Sequence, residues 1–101
     1  YRYNQPAIMI VGVLKLDLFI HASASLKEKR FVVKSIKDGI RHKFNVSIAE
    51  TGHLDKWQRA ELGISMVANE EHLIRSTMEA VMLFIEAKGQ CEMVNRELTM
   101  Y

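Results

Sequence analysis

The residues of this sequence whose types and spacing best suit chemistry are cations that recur along one predicted helix. They follow the spacing 3, 4, 3, 4 and are Lys27, Arg30, Lys34, Lys37 and Arg41. At about 100° per residue, this spacing places all of them within an arc of about 80° and predicts a linear basic edge. Lys29 lies on the same helix and is predicted to join them as a nucleic-acid contact. Ammonium and guanidinium groups in such a row suit RNA phosphates, whose counterions they would release.

Charge is unevenly distributed along the chain. Residues 25–45 carry a net charge of +5, whereas the whole chain carries +2, so the remainder is acidic. This polarity favours an anionic partner. If RNA binds through five cations, log affinity against log salt should have a slope of about −3.5 to −4.5. Two alternatives remain open, namely a solvated helix flank without a ligand and an edge that meets an acidic protein.

A second candidate site consists of three adjacent residues, Trp57, Gln58 and Arg59, which follow a predicted hairpin loop. Trp and Arg are enriched at binding hot spots, so we predict that these residues contact a partner. In the alternative, Trp57 closes the end of the core and Arg59 pairs across strands with Glu50 or Glu61.

Catalytic and metal-binding patterns are missing from the sequence. Cys91 has no neighbouring cation in sequence that would activate its thiol. His53 and Asp55, with Glu50 nearby, fall short of a metal-binding set. The glycines are too dispersed to form a phosphate-binding loop. We therefore expect a non-enzymatic protein without a metal or cofactor.

Composition predicts a cytoplasmic protein. A single cysteine excludes an internal disulfide framework and fits a reducing compartment. No apolar run approaches the roughly 20 residues of a membrane span, so we expect no membrane contact. Arg2, the apolar residues 7–14 and the small residues 22–24 partly imitate a secretory leader. Lys15 and Asp17 interrupt that pattern.

The first half of the chain predicts a strand, a helix and a hairpin. Residues 10–20 alternate between an apolar and a mixed face, which is typical of a strand. Ser25 followed by Glu28 is a capping box that begins a helix. Two further runs, residues 46–51 and residues 57–68, predict the paired strands of a hairpin.

The first helix has a predicted buried face that does not lie opposite the basic edge. This buried face comprises Leu26, Val33, Ile36, Ile40 and Phe44. The cations lie to one side of it, so they are predicted to line a groove beside the sheet.

The second half predicts a helix and a final strand. Asn69 is the predicted N-cap, Glu70 and Glu71 oppose the helix dipole, and Gly89 ends the helix. Residues 91–101 form the last strand. The order strand, helix, strand, strand, helix, strand predicts a ferredoxin-like βαββαβ fold of the α+β class. In this fold, two helices cover one face of a four-stranded antiparallel sheet and leave the other face open.

The open sheet face predicts self-association. The first strand contributes Val11, Val13, Lys15, Asp17 and Phe19 to it. The ring and glycine signature of RNA-recognition modules is missing, so base stacking on this face is not expected. Exposed apolar residues on a sheet instead favour a homodimer.

Four motifs carry a resemblance to a known family. They are Met9-Ile10-Val11-Gly12-Val13-Leu14, Ser25-Leu26-Lys27-Glu28-Lys29-Arg30, Phe44-Asn45-Val46-Ser47-Ile48-Ala49-Glu50 and Asp55-Lys56-Trp57-Gln58-Arg59-Ala60-Glu61-Leu62-Gly63. In this order and spacing the chain resembles the YlxP-like family of small bacterial proteins, a domain of unknown function. The resemblance implies a ferredoxin-like fold. Because the family's genes commonly lie near those of translation initiation and ribosome maturation factors, it also implies a role around ribosomal RNA.

The resemblance carries over no catalytic residue, because no activity is established for the family. Family members usually start at the position of Met9. Residues 1–8 are therefore expected to be an N-terminal extension or a cloning remnant, and residues 9–101 a single domain. We predict an RNA- or ribosome-associated accessory protein. The alternative is a protein-protein interaction module, or a homodimer, without a nucleic-acid ligand.

Overall fold

The computed structural model describes residues 8–101. Its elements are β1 (Ile10–Phe19), α1 (Leu26–Lys43), β2 (Ser47–Gly52), β3 (Arg59–Ala68), α2 (Glu71–Lys88) and β4 (Glu92–Met100). The strands lie in the order β2-β3-β1-β4, and all neighbours are antiparallel. The predicted ferredoxin-like fold is confirmed. The predicted extension, residues 1–8, lies outside the described residues except for Ile8.

The core lies between one face of the sheet and both helices. Alternation in β1 turns Leu14, Leu16 and Leu18 inward, where they are almost fully buried. Leu16 lies opposite Leu62 of β3, which is equally buried. Because side chains alternate along a strand, the polar residues between these leucines must face the other side of the sheet.

Helix α1 begins at the predicted capping box. Ser25 Oγ accepts a hydrogen bond from the Glu28 backbone N–H at 3.1 Å. Glu28 Oε1 accepts one from the Ala24 N–H at 2.7 Å, one residue before the N-cap position that the usual box uses. Both contacts fix the start of α1 and with it the position of the basic edge.

Helix α2 begins one residue later than predicted. Its N-cap is Glu70 rather than Asn69, and no side chain caps the first turn. The predicted stop is confirmed, because Gly89 adopts a left-handed conformation with φ of 66°. Among residues 8–101, neither helix is long and apolar enough to cross a membrane.

Two glycines, Gly12 in β1 and Gly39 in α1, allow α2 to pack closely against the sheet and against α1. A Cβ at Gly12 would collide with the Ile74 side chain of α2, and one at Gly39 would lie 2.8 Å from Phe84 Cζ. Helix α1 is also tied to the sheet, since Arg41 Nη2 donates to the Ile48 carbonyl of β2 at 3.0 Å. Because β2 is an outermost strand, one flank of α1 borders the rim of the sheet.

Candidate nucleic-acid interface

The basic edge, defined as Lys27, Arg30, Lys34, Lys37 and Arg41, lies on the solvent side of α1. Lys37 is half-buried, and the other members are exposed. The bond from Arg41 to β2 places the C-terminal end of the edge beside the rim of the sheet. The basic edge therefore offers a row of accessible donors along one helix.

Asp38 partly neutralises this row. Lys34 Nζ donates to Asp38 Oδ2 at 2.7 Å, and Arg41 Nη1 lies 3.6 Å from Asp38 Oδ1. The hydrogen bond from Lys34 lowers the pKa of Asp38, so this carboxylate is ionised at neutral pH. Within residues 8–101, the other three members of the basic edge form no ion pair. These three are therefore the cations most available to an anionic ligand.

The prediction that Lys29 contacts nucleic acid is wrong. Its side chain is fully buried beneath α1. Its Nζ donates to Glu50 Oε2 and to the His53 carbonyl, both at 2.8 Å. The Arg59 and Leu54 carbonyls lie 3.3 Å and 3.4 Å away. A lysine ammonium has three donors, so these four acceptors engage it completely and leave nothing for a phosphate.

A sequence signal for the burial of Lys29 exists in the helical spacing. Leu26, Val33, Ile36 and Ile40 share the spacing of a buried face, and Lys29 occupies the gap that this spacing leaves. Of the predicted buried face, Val33, Ile36 and Ile40 are buried, whereas Leu26 and Phe44 are only partly so.

The partner of Lys29 also falls on a face that is otherwise apolar. Glu50 lies opposite the buried Leu62, on the inward face of β2. A cation and an anion that both fall on apolar faces predict a buried ion pair, since an unpaired buried charge is too costly.

Trp57 is an exposed side chain of the β2–β3 loop. It is 57% exposed, so the alternative in which it closes the core is wrong. Leu54, on the same loop, is equally exposed at 58%. The loop thus presents two apolar side chains to solvent, a combination typical of a binding surface.

Unlike Trp57, the side chain of Gln58 is hydrogen-bonded within the protein, and that of Arg59 is partly buried. Gln58 Nε2 donates to the His21 carbonyl at 3.0 Å, and the Gln58 carbonyl accepts from the Ile20 N–H at 2.8 Å. Gln58 therefore ties the loop to the segment that follows β1. Arg59 makes no ion pair with Glu50 or Glu61 in the described chain, and its Nε is buried without a hydrogen-bond partner there.

A pocket of about 770 Å³ lies at the same end of the molecule as the β2–β3 loop. Its walls come from the segment after β1, the first turns of α1 and the turn before β4. Ile20, Phe31 and Val32 supply apolar walls, and Lys27 and Gln90 are among the polar ones. No sequence motif predicted this pocket. Its only sequence signal is Phe31, an aromatic residue outside the apolar spacing of α1.

The open sheet face is charged at its centre and apolar at one end. Lys15 Nζ lies 3.9 Å from Glu61 Oε1, and His53 Nε2 lies 3.7 Å from Asp17 Oδ1. Val11, which is half-buried, lies opposite the exposed Val67 at the far end of this face. A flat partner would meet charges in the middle of this face and apolar surface beside these valines.

The described part of the chain offers neither a cluster of metal ligands nor an activated thiol. No group of three or more His, Cys, Asp or Glu residues there is placed to hold a metal ion. Burial raises the pKa of the Cys91 thiol, which disfavours the nucleophilic thiolate.

Comparisons with known proteins identify relatives but no activity. Residues 11–98 match the family described as "Protein of unknown function (DUF503)". A Bacillus subtilis (strain 168) protein named "Uncharacterized protein YlxP" is 36% identical over 83 residues, which cover 82% of this chain and 90% of that protein. A solved structure, the de novo designed protein Foldit4, aligns with a TM-score of 0.52 at 13% identity, covering 92% of this chain and 96% of that one. At this identity the structural likeness concerns the fold alone.

Removal of the Lys29 ammonium should destabilise the protein strongly. We expect Lys29→Met to lower the free energy of unfolding by about 3–5 kcal/mol, because Glu50 would keep a buried charge without its partner. Urea denaturation followed by circular dichroism measures this change.

Two matched variants isolate the buried pair. The double variant Lys29→Met with Glu50→Gln should recover part of the loss, since the unpaired charge is gone. Lys37→Met, on the same helix, should stay within about 0.5 kcal/mol of the wild type. A loss below about 1 kcal/mol in Lys29→Met would contradict a buried, fully engaged ammonium.

Proposed function

The chain belongs to the YlxP-like family of unknown function, and we propose that it is a non-enzymatic RNA- or ribosome-associated accessory protein. The basic edge would contact RNA phosphates, ribosomal RNA being the leading candidate. The observation that carries this proposal is the placement of the edge, whose members all lie on one solvent-facing side of α1. A ribosome-associated factor that displays phosphates or acidic groups would suit the same surface.

The dimensions of the basic edge suit a linear polyanion. At 1.5 Å per residue, the edge from Lys27 to Arg41 spans about 21 Å. The second helix offers no comparable surface, because residues 71–88 carry two basic and three acidic side chains. The field of the molecule would therefore orient α1 toward an approaching phosphate chain.

The chemistry of the thiol disfavours a cysteine nucleophile. Cys91 is partly buried, and desolvation raises the pKa of its thiol, so the reactive thiolate is scarce at neutral pH. We propose a cytoplasmic location with this function, because one free cysteine fits a reducing compartment.

An alternative function is a protein-protein interaction module. It is favoured by Leu54 and Trp57, two exposed apolar side chains on a loop that Lys29 holds from beneath. Trp is a frequent hot-spot residue, and a rigid loop loses little entropy on binding. In this alternative, the basic edge would meet acidic side chains of the partner.

We also propose self-association through the open sheet face. Val11, Val13 and Val67 form the apolar end of this face, and Val67 is 60% exposed. A two-fold axis near these valines would bury them against their own copies. The basic edge lies on the helical side of the sheet, so it would stay accessible in such a dimer.

Charge reversal on the basic edge should weaken RNA binding and its salt dependence. We expect the double variant Arg30→Glu with Lys37→Glu to reduce the steepness of the log–log salt slope by about 1.4, as two phosphate contacts to a single strand are lost. Fluorescence anisotropy with a labelled single-stranded RNA, across a series of salt concentrations, measures both affinity and slope.

The matched control for this variant is Arg75→Glu with Lys88→Glu on α2, which makes the same change in net charge. Asp38→Asn should act in the opposite direction and tighten binding, because it frees Lys34 and Arg41 from their internal carboxylate. If the α1 and α2 variants weaken binding equally, the basic edge is not the contact surface. If wild type shows no salt-sensitive binding, the RNA proposal fails.

Trp57 provides a direct probe of the loop, because it is the only tryptophan of the chain. If the loop contacts RNA, its fluorescence should change on titration, and Trp57→Ala should weaken binding by about 1–3 kcal/mol. Trp57→Phe should retain most of the affinity. If RNA binds while the fluorescence and the Trp57→Ala affinity stay unchanged, the loop does not contact RNA. It then remains a candidate contact for a protein partner.

Self-association should disappear when the apolar end of the open face is charged. We expect wild type to sediment as a dimer and Val67→Lys to sediment as a monomer, since two apposed ammonium groups would repel and lack acceptors. Ser76→Lys, an exposed substitution on α2, should leave the dimer intact. A wild type that remains monomeric at high concentration would remove this proposal.

A further inference from the structure

We infer that the pocket at the N-terminal end of α1 receives one unstacked base of a single-stranded RNA whose phosphates follow the basic edge. This inference rests on the proposed function and specifies its substrate class.

The pocket and the basic edge are continuous. Lys27 is the first member of the edge and also lines the pocket. Phe31 follows it by four residues on α1, a spacing that brings the two Cβ atoms to within about 5–6 Å of each other. A strand whose phosphate is held by Lys27 would therefore have its next base beside Phe31.

The walls of the pocket suit a flat ring. Phe31 is 72% exposed, although an aromatic side chain of this size is usually buried. Ile20 and Val32 extend the apolar surface from the core into the pocket. The volume of about 770 Å³ lies within the range of about 300–1,000 Å³ that is typical of ligand pockets. A solvent-exposed aromatic side chain can stack on any base, since every base has a π face.

The polar groups of the pocket favour a base over a phosphate. Glu28 lines it, and the negative charge of this carboxylate would repel a phosphate. Only one of its oxygens is committed, to the Ala24 N–H at 2.7 Å. Gln90 also lines the pocket, and its Oε1 is buried without a hydrogen-bond partner in the described chain. The free oxygen of Glu28 accepts hydrogen bonds, so a base with an exocyclic amino group, such as adenine, can donate to it.

The proposed ligand is single-stranded for a steric reason. In a duplex the bases are paired and stacked, and a side chain on a helix surface cannot reach their faces. The basic edge alone would accept either form, because phosphates are common to both. The pocket should therefore make single-stranded RNA the preferred ligand.

The decisive experiment compares two oligonucleotides that differ in one base. The first is an oligomer of abasic ribose phosphates with a single internal adenosine, and the second carries an abasic residue at that position as well, so that no other base can enter the pocket. Wild type should bind the adenosine form about 5- to 150-fold more tightly, which corresponds to the usual 1–3 kcal/mol of stacking on one side chain. Phe31→Ala should abolish this difference and keep the salt slope, whereas Phe31→Trp should preserve the difference.

A matched control is Leu83→Ala, which truncates another exposed apolar side chain, 65% exposed on α2. It should leave the discrimination unchanged. Equal affinity of wild type for both oligonucleotides, with salt-dependent binding intact, would overturn the base pocket and leave the proposed function standing. A complete absence of salt-dependent RNA binding by the wild type would overturn both the base pocket and the proposed function, and it would favour a protein partner. A preference for duplex over single-stranded RNA would also overturn the inference.

Discussion

The buried ammonium of Lys29 is the interaction on which the candidate site depends. It joins α1 to the end of β2, to the β2–β3 loop and to the start of β3 through Glu50, His53, Leu54 and Arg59. A buried charge is tolerated only when it is paired and its hydrogen bonds are made, so these acceptors must keep their places. The His53 backbone is held in the left-handed region, at φ of 57°, which is uncommon for a residue other than glycine.

The same contact fixes the rotation of α1 about its own axis. Because Lys29 points into the sheet, Lys27 and Arg30 must project to the solvent side, as successive residues are about 100° apart. The loop that Lys29 holds leaves Trp57 exposed, and Gln58 ties that loop to the segment beside the pocket. The start of the basic edge, the loop and the pocket thus occupy one end of the molecule. Their common position allows a single extended ligand to contact all three.

The molecule separates this end from the valines of the open sheet face. The valines of the open face lie at the opposite end of β1, next to the C-terminal part of β3. The centre of the same face is occupied by ion pairs such as Lys15 with Glu61. The proposed ligand binding on α1 and the proposed self-association on the sheet therefore use different residues. Asp38 partly neutralises the basic edge and holds two of its cations, Lys34 and Arg41, in place without a ligand.

Sequence by itself determined the fold, because its signals are local. Strand alternation in residues 10–19, the Ser25 capping box and the left-handed Gly89 each depend on neighbouring residues alone. The start of α2 was displaced by one residue, since no side chain caps it and local preference for Asn69 had no hydrogen bond to enforce it. Spacing predicted the five cations of the basic edge, whereas the sixth proposed nucleic-acid contact, Lys29, is buried. Tertiary structure alone decided the exposure of Trp57, the pocket beside Phe31 and the acceptors that surround Lys29. These features depend on residues far apart in the chain, because a charge is buried only where the fold brings it an acceptor.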